Sequence, residues 1–343
     1  MTTQEAPPGL DLVRFGEWFA STAPVVGHEF TARLLAGGRS NLTYEVTDGV
    51  STWVVRRPPL GHVLATAHDV AREFRVMSAL QDTDVAVPKA IALCTDPEVI
   101  GVPFYVMERV HGATYQRAHE LEPLGAERTR TISTGLIDTL ARLHAVDPAA
   151  VGLADFGRPA GFLGRQVRRW RTQLDASHNR DLPAADELHA RLAAAVPPDS
   201  GSAIVHGDYR LDNVLVGEDG RPAAVIDWEM ATLGDPLTDV ALLVVYGRLG
   251  AMLGQVIPDV IPDVATAPGF VDEEELIRRY AGATGHEPSP FHLGLAAFKL
   301  AAILEGIHYR HLQGQTLGAG FENVGSAVEP VVDLGLTALR GNR

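Results

Sequence analysis

One cysteine, Cys94, stands among 343 residues. No disulfide can close within the chain, and a reducing cytoplasm is the expected compartment. The opening residues, Met1 to Leu10, carry neither a basic start nor an apolar stretch, so they do not read as a signal peptide. No run approaches the roughly 18 apolar residues of a membrane span. The apolar segment from Val240 to Tyr246 is too short for one and reads as a buried helix. Positive charge is also scarce: 29 Lys and Arg face 43 Asp and Glu, a formal net charge of −14. That balance disfavours a general nucleic-acid or anionic-membrane binder, and it suits either a cationic ligand or plain solubility. Internal repeats and low-complexity tracts are missing. What is present is an ordinary globular composition, 46% hydrophobic and 21% charged, long enough for one large or two ordinary domains.

The first third reads as β-rich. Leu42–Val46 and Thr52–Arg56 flank an Asp48-Gly49 turn signal and predict a hairpin. Upstream, Ala36-Gly-Gly-Arg-Ser-Asn41 is a small, flexible loop leading into it. After Pro58-Pro59 an amphipathic helix is expected from about Ala67 to Leu80, with Glu73 and Arg75 among Val70, Phe74, Met77 and Leu80. Strands follow near Lys89–Cys94 and Phe104–Arg109. A strand, the hairpin, this helix and two more strands make a five-stranded lobe over residues 1–110. From Thr114 the pattern turns helical, and 111–343 forms the larger lobe. Glu127–Val146 carries Ile132, Leu136, Leu140 and Leu143 at helical spacing. Further helices are expected near 161–175, 184–196, 236–249, 273–284, 291–313 and 321–339. Among them lies a small β unit near 203–206, 213–217 and 223–227, with Glu218-Asp-Gly-Arg-Pro222 as its turn. The segment 254–272 reads as a surface loop. Two such lobes leave a cleft between them, with residues 206–227 at its floor.

Those residues carry the chemistry. His206-Gly-Asp208 is followed by Asn213, and Val225-Ile-Asp227-Trp-Glu229 follows a turn later. A base, a spaced asparagine and a second aspartate in this order are what a kinase-like catalytic loop supplies. Transfer of a phosphoryl group needs a base or orienting group for the attacking hydroxyl, cations for the triphosphate, and in-line positioning. Asp208 is the candidate base, and a normal carboxylate suffices for a late proton transfer. Asn213 and Asp227 offer hard oxygens for Mg²⁺, which often uses one or two protein oxygens beside phosphates and waters. Taken singly, His206-Gly-Asp208 would read as a turn and Asp227 as a strand-end cap. The joint pattern favours phosphoryl transfer from a nucleotide to a hydroxyl.

His-Gly-Asp-x-x-x-x-Asn followed by Ile-Asp-Trp-Glu resembles the aminoglycoside phosphotransferase and choline-kinase-like family, nearest to the kinase domains fused to some acyl-CoA dehydrogenases. Gly37–Tyr44 is similar to that family's nucleotide loop, Val54–Pro59 to its third strand and Arg72–Met77 to its lobe helix. Phe104–Gly112 is similar to its hinge, and Gly234–Ala241 to the segment after the metal aspartate. The likeness spans roughly 30 to 315. It implies an α+β, bilobal protein-kinase-like fold, with a small five-stranded antiparallel lobe bearing one main helix and a larger helical lobe. It implies ATP and Mg²⁺ as cofactors, Asp208 as catalytic base, Asn213 and Asp227 as metal ligands, and His206 as support for the loop. Glu73 would pair with a basic residue on the third strand. The expected lysine there is Arg56; Arg57 would serve if the register shifts by one, and strand parity with Val54 favours Arg56. Ser40 and nearby amides become phosphate contacts, and backbone groups of Glu108 and Val110 meet the adenine. Asp235 is expected to cap a helix and Asp239 to brace the loop. Trp228 reads as packing.

The acceptor pocket is sought in the helical lobe, where Glu305 and His308 share one helix face, as binding residues or as a solvated or internally paired face. The resemblance offers a small-molecule hydroxyl partner: aminoglycoside-like amino sugars, choline-like alcohols, and hydroxy acids or their acyl-CoA esters. The Arg-Arg-Pro-Pro and Glu-Gly-Ile-His-Tyr-Arg segments lean to the last of these. A pseudokinase scaffold would lack a base or metal ligand, and all three are present. A metal-dependent hydrolase using His206, Asp208 and Asp227 would turn over without nucleotide. A protein kinase would show an Ala-Pro-Glu ending after Asp227, and none is there.

Overall fold

The structure, a computed structural model, describes residues 7–27, 29–35, 41–60, 69–177, 179–258, 260–316 and 320–341. The chain divides into two compact units, Met1–Gly112 with Ala223–Ala231, and Ala113–Pro222 with Thr232–Arg343.

The first unit begins with a helix the sequence reading left unassigned, α1 (Leu12–Thr22). Asp11 Oδ1 accepts the Val13 and Arg14 amides at 3.1 Å each, satisfying donors the helix leaves open at its start. Phe15 and Phe19, four residues apart, form its buried face. Strands β1 (Thr31–Leu34), β2 (Leu42–Thr47) and β3 (Thr52–Arg57) precede helix α2 (Val70–Leu80). Strand β4 (Ala90–Cys94), the short helix α3 (Pro97–Ile100) and strand β5 (Phe104–Glu108) complete the unit. The sheet order is β1-β2-β3-β5-β4, every pair antiparallel. Phe19 meets Trp53 edge-on at 5.0 Å and Phe15 lies 5.9 Å from Phe104, so α1 closes one face of the sheet with aromatic rings.

The hairpin turn is built on Asp48. Its carboxylate accepts the amides of Val26 (3.1 Å), Gly27 (2.8 Å), Val50 (2.9 Å) and Ser51 (2.7 Å). Burial alone would raise this carboxyl; the four amides outweigh burial and hold it down at about 2. Gly49 takes the left-handed conformation, φ +87°, that the turn requires. Helix α2 is capped by Asp69, which accepts the amides of Ala71 and Arg72 at 3.1 Å each. Its buried face is Val70, Glu73, Val76, Met77 and Leu80, so one carboxylate sits in an otherwise apolar stripe.

The second unit is mostly helical: α4 (Ala118–Leu121), α5 (Ala126–Ala145), α6 (Phe162–Ala176) and α7 (Pro183–Ala194). Strands β6 (Ala203–Val205) and β7 (Val214–Val216) follow, and β8 (Pro222–Val225) runs on into the Ala223–Ala231 segment. Strand β9 (Thr232–Gly234), which the sequence reading did not anticipate, pairs antiparallel with β6, Ile204 opposite Leu233. Then come α8 (Leu237–Leu253), α9 (Glu273–Thr284), α10 (Pro290–Leu312) and α11 (Val328–Leu339). The last starts later than expected, because Val324–Ala327 forms a 3₁₀ turn first. The loop after α8 is held by Arg117, which donates to the carbonyls of Gly254 (2.8 Å) and Ile261 (2.9 Å) and pairs with Asp263 at 2.7 Å. By length and composition α10 could cross a membrane, but 67% of its apolar window is buried within the protein, as for a core helix.

Candidate functional site

In the second unit, the loop after β6 is fixed from below by α8. Asp239, wholly buried on that helix, accepts the His206 amide on Oδ2 at 2.7 Å and the Gly207 amide on Oδ1 at 2.8 Å. His144 Nε2 lies 3.3 Å from the same carboxylate, and its Nδ1 lies 2.7 Å from the Tyr280 hydroxyl. Burial pushes Asp239 up, but His144, His206 and these hydrogen bonds hold it below its ordinary value, so it stays an acceptor. Gly207, at φ +83°, turns the chain so that two successive amides reach one carboxylate. The Asp208 amide donates to Nδ1 of the buried His206 ring at 3.2 Å, which packs the ring against the loop.

Asp208 therefore stands on a rigid loop. Its Oδ1 accepts the Tyr246 hydroxyl at 2.9 Å. Asn213 Nδ2 donates to its backbone carbonyl at 2.8 Å and to Oδ2 at 3.2 Å. With the amide nitrogen turned to Asp208, the oxygen of Asn213 is the atom presented elsewhere, and it is the hard donor Mg²⁺ requires. Arg210 pairs with Asp212 at 2.6 Å, reaches to 3.7 Å from Asp208 Oδ2 and lies 5.0 Å over the Tyr246 ring. Lys299, on α10, donates to the Gly207 carbonyl and lies 5.4 Å from the Trp170 ring centre. Burial lowers this lysine, and Asp208 and Asp239 partly restore it.

In the first unit, Arg56 is the centre of a buried charge cluster. Its Nε lies 3.0 Å from Glu73 Oε2, and one Nη lies 2.5 Å from Asp227 Oδ1 and 3.9 Å from Glu229. Burial pulls Arg56 down; the acidic groups of Tyr105, Glu73, Asp227 and Glu229 outweigh it, so the guanidinium stays charged. Glu73, 1% exposed, also accepts the Tyr105 hydroxyl at 3.0 Å and the Asn41 amide at 2.9 Å. Burial pushes its carboxyl up to about 7 against the pull of Arg56. Asp227 is the one non-glycine among the described residues at positive φ, 67°. This left-handed backbone aims its carboxylate just before the Trp228–Met230 turn. Trp228 is buried, with its indole N–H on the Val225 carbonyl at 3.0 Å.

Arg57 faces away from that cluster and donates to the carbonyls of Gly9 and Pro58. Ser40 lies outside the described residues. Glu108 ends β5, where its amide bonds the Lys89 carbonyl at 2.9 Å, and the Val110 carbonyl accepts Arg109 at 2.5 Å. Asp235 accepts the Leu237 amide at 3.0 Å and the Ser200 amide at 2.5 Å at the start of α8. Glu305 is buried and held bidentately by Arg180 at 3.1 and 2.6 Å, and Arg180 also donates to the Gly325 carbonyl. This is the internally paired alternative, a strut between α10 and the turn before α11. His308 packs on Gly325, where a Cβ would meet its ring at 2.8 Å.

Several contributors were assigned no role from the sequence: Tyr246 closes the apolar run of α8, Lys299 sits in an apolar helix, and His144 and Arg210 carry no motif signal of their own. Asn41 and Glu229 did carry one, through their places in Gly37–Tyr44 and Asp-Trp-Glu. A cavity of about 350 Å³ within the second unit is walled by Tyr246, Leu243, Val244, Phe270 and Leu276. Its carboxylates all have partners: Asp212 with Arg210, Glu273 with Arg248 at 2.6 Å, and Asp272 with the Glu275 amide at 2.8 Å.

Residues 31–259 match the model of the phosphotransferase enzyme family. The chain is similar to acyl-CoA dehydrogenase family member 11 of Gallus gallus, 35% identical over 315 residues, which is 89% of this chain but 40% of that protein. It therefore spans less than half of that relative. Among solved structures it is similar to a Ralstonia eutropha protein provisionally assigned as an aminoglycoside phosphotransferase, at 31% identity and a TM-score of 0.83, covering 96% of this chain and 98% of that one. A thermostable mutant of aminoglycoside phosphotransferase APH(4)-Ia, in a ternary complex with AMP-PNP and hygromycin B, shares the fold at a TM-score of 0.62 and 15% identity, over 95% of this chain and 97% of that one.

Proposed function

The chain belongs to the phosphotransferase enzyme family and is a small-molecule phosphotransferase of kinase-like α+β fold, and on that footing we propose that it moves the γ-phosphoryl group of ATP, with Mg²⁺, to a hydroxyl of a hydroxy acid or its acyl-CoA ester. The Asn213 amide donating to Asp208 is the observation that carries this reading, because it couples a base to a metal-ligand oxygen on one short turn. ATP is supported by the AMP-PNP held in the APH(4)-Ia complex.

Asp208 orients the acceptor hydroxyl and takes its proton as the oxygen–phosphorus bond forms and the bridging phosphorus–oxygen bond breaks, releasing ADP. Asn213 and Asp227 would hold Mg²⁺, which when bound neutralises charge on the phosphates. Arg56, held by Glu73, offers a planar cation to the nucleotide phosphates where a lysine is usual. His206 keeps the loop in shape, and Ser40, Glu108 and Val110 remain the proposed nucleotide contacts.

The cavity supports the choice of acceptor. A polycationic amino sugar needs several available carboxylates, whereas those lining the cavity are already paired, two of them with Arg210 and Arg248 of the same wall, and most of the remaining wall is apolar. That lining fits an aliphatic chain.

The test is transfer of labelled γ-phosphate from ATP and Mg²⁺ to a panel of hydroxy acids, their CoA thioesters, choline and kanamycin, with products identified by mass spectrometry. A phosphorylated hydroxy acid or thioester is expected. Phosphorylation of kanamycin or choline alone would overturn the acceptor class and leave the reaction class standing.

A further inference from the structure

Helix α8 grips the catalytic loop twice. Asp239 takes two backbone amides of the loop, and Tyr246, about two turns further along the same face, reaches the carboxylate of Asp208 itself. We propose that Tyr246 is the positioning residue of this phosphotransferase, its phenol fixing the Asp208 carboxylate so that the acceptor hydroxyl meets it in line. The inference rests on Asp208 being the base.

A carboxylate at the end of a short side chain turns readily about its last torsion, which has broad minima. On Oδ2 the hold is loose, with the Asn213 amide at 3.2 Å and the Arg210 guanidinium at 3.7 Å. The phenol at 2.9 Å on Oδ1 supplies the second fixed point, and two donors on two oxygens define the plane of the carboxylate. Tyr246 is itself buttressed: the Arg210 guanidinium, tied to Asp212, lies 5.0 Å over its ring, and the ring packs in the cavity wall with Leu243 and Val244. Burial and the charge on Asp208 hold the phenol well above its ordinary value, so it remains a donor. Such a donor makes the carboxylate a weaker base. In a loose transition state, where the proton moves late, orientation outweighs base strength.

A double-mutant cycle on the full chain separates this role from a structural one. The probe is Mg·ATP with water as acceptor, read as phosphate release. Tyr246→Phe keeps the ring, the cavity wall and the Arg210 contact, and should lower kcat about tenfold with the KM for ATP unchanged. In the Asp208→Ala background the same change should have no further effect, since its partner is gone. Equal losses in both backgrounds, or an unchanged kcat, would overturn the proposal while leaving Asp208 as base. Hydrolysis at the normal rate in Asp208→Ala would overturn the base assignment and this inference together. Incorporation of 3-fluorotyrosine at position 246, which keeps the donor, should retain the wild-type rate even if Tyr246→Phe folds poorly; a tenfold loss there would count against the proposal.

Discussion

The side chain of Asn213 donates to the backbone carbonyl of Asp208 at 2.8 Å, so the candidate metal ligand and the candidate base are fastened to each other through the main chain. Replacing the base should then separate chemistry from binding. Asp208→Asn leaves the loop backbone and its Asp239 anchor untouched, so nucleotide affinity measured by calorimetry should stay within about twofold while turnover falls on the order of 10²- to 10⁴-fold. Equal turnover with an identified acceptor would remove Asp208 from the mechanism.

Asn213→Asp makes the complementary case. The carboxylate keeps a hard oxygen for the cation but loses the donor to Asp208 and sets a like charge beside it. Turnover should drop about tenfold or more, with little change in the Mg²⁺ concentration needed for half activity. Asn213→Ala should instead raise that Mg²⁺ requirement. A Mg²⁺ titration of both variants distinguishes the two contributions, and identical titrations would count against Asn213 as a ligand.

Arg56 touches Glu73 and Asp227 with different nitrogens, at 3.0 and 2.5 Å. A lysine presents one point charge and cannot serve both in that geometry. Arg56→Lys should therefore fold but bind ATP more weakly, whereas Arg56→Ala strands a buried carboxylate and should cost roughly 3–5 kcal/mol of stability. Urea denaturation and nucleotide titration report the two effects separately.

How much of this could be read in the residues depends on how local the signal is. Asp208, Asn213 and Asp227 are bound by short, fixed spacings, and the strand parity of Arg56 follows from the two-residue repeat of a pleated chain. The five-stranded sheet and most helices of the second unit follow from periodicity and turn residues. Tyr246 is different: its hydroxyl meets Asp208 across 38 positions, and at the end of an apolar run it reads as one more core residue. Lys299 is hidden the same way. Helix α1 rests on two phenylalanines and one capping aspartate, a signal too short for periodicity to register. The pairing of Glu305 with Arg180 joins residues 125 apart, so helical spacing could only say which face Glu305 occupies.

Glu73 gives a pH signature. Burial raises its carboxyl from 4.5 to about 7, so the folded state binds this proton more tightly than the unfolded chain does. For a raised group the stabilisation is complete below the unfolded value and is lost as pH rises through the folded one. Wild-type stability should therefore decline between about pH 4.5 and 7 by up to roughly 3 kcal/mol relative to Glu73→Gln. Parallel urea curves of the two proteins across that window would show that Glu73 does not titrate there.

Glu305 tests whether the long helix α10 recognises the acceptor or supports the fold. Its carboxylate is 1% exposed and is held by both guanidinium nitrogens that face it, while Arg180 ties on to the Gly325 carbonyl at 2.7 Å. A carboxylate so enclosed has no direction left from which to meet a substrate. Glu305→Gln keeps the volume but weakens two charge-assisted hydrogen bonds, and should lower stability by about 2 kcal/mol. Arg180→Ala, which leaves the carboxylate buried without its cation, should lower it further. Neither change should alter the acceptor KM at a temperature where both variants remain folded. A rise in KM of tenfold with the unfolding midpoint unchanged would return Glu305 to the acceptor pocket.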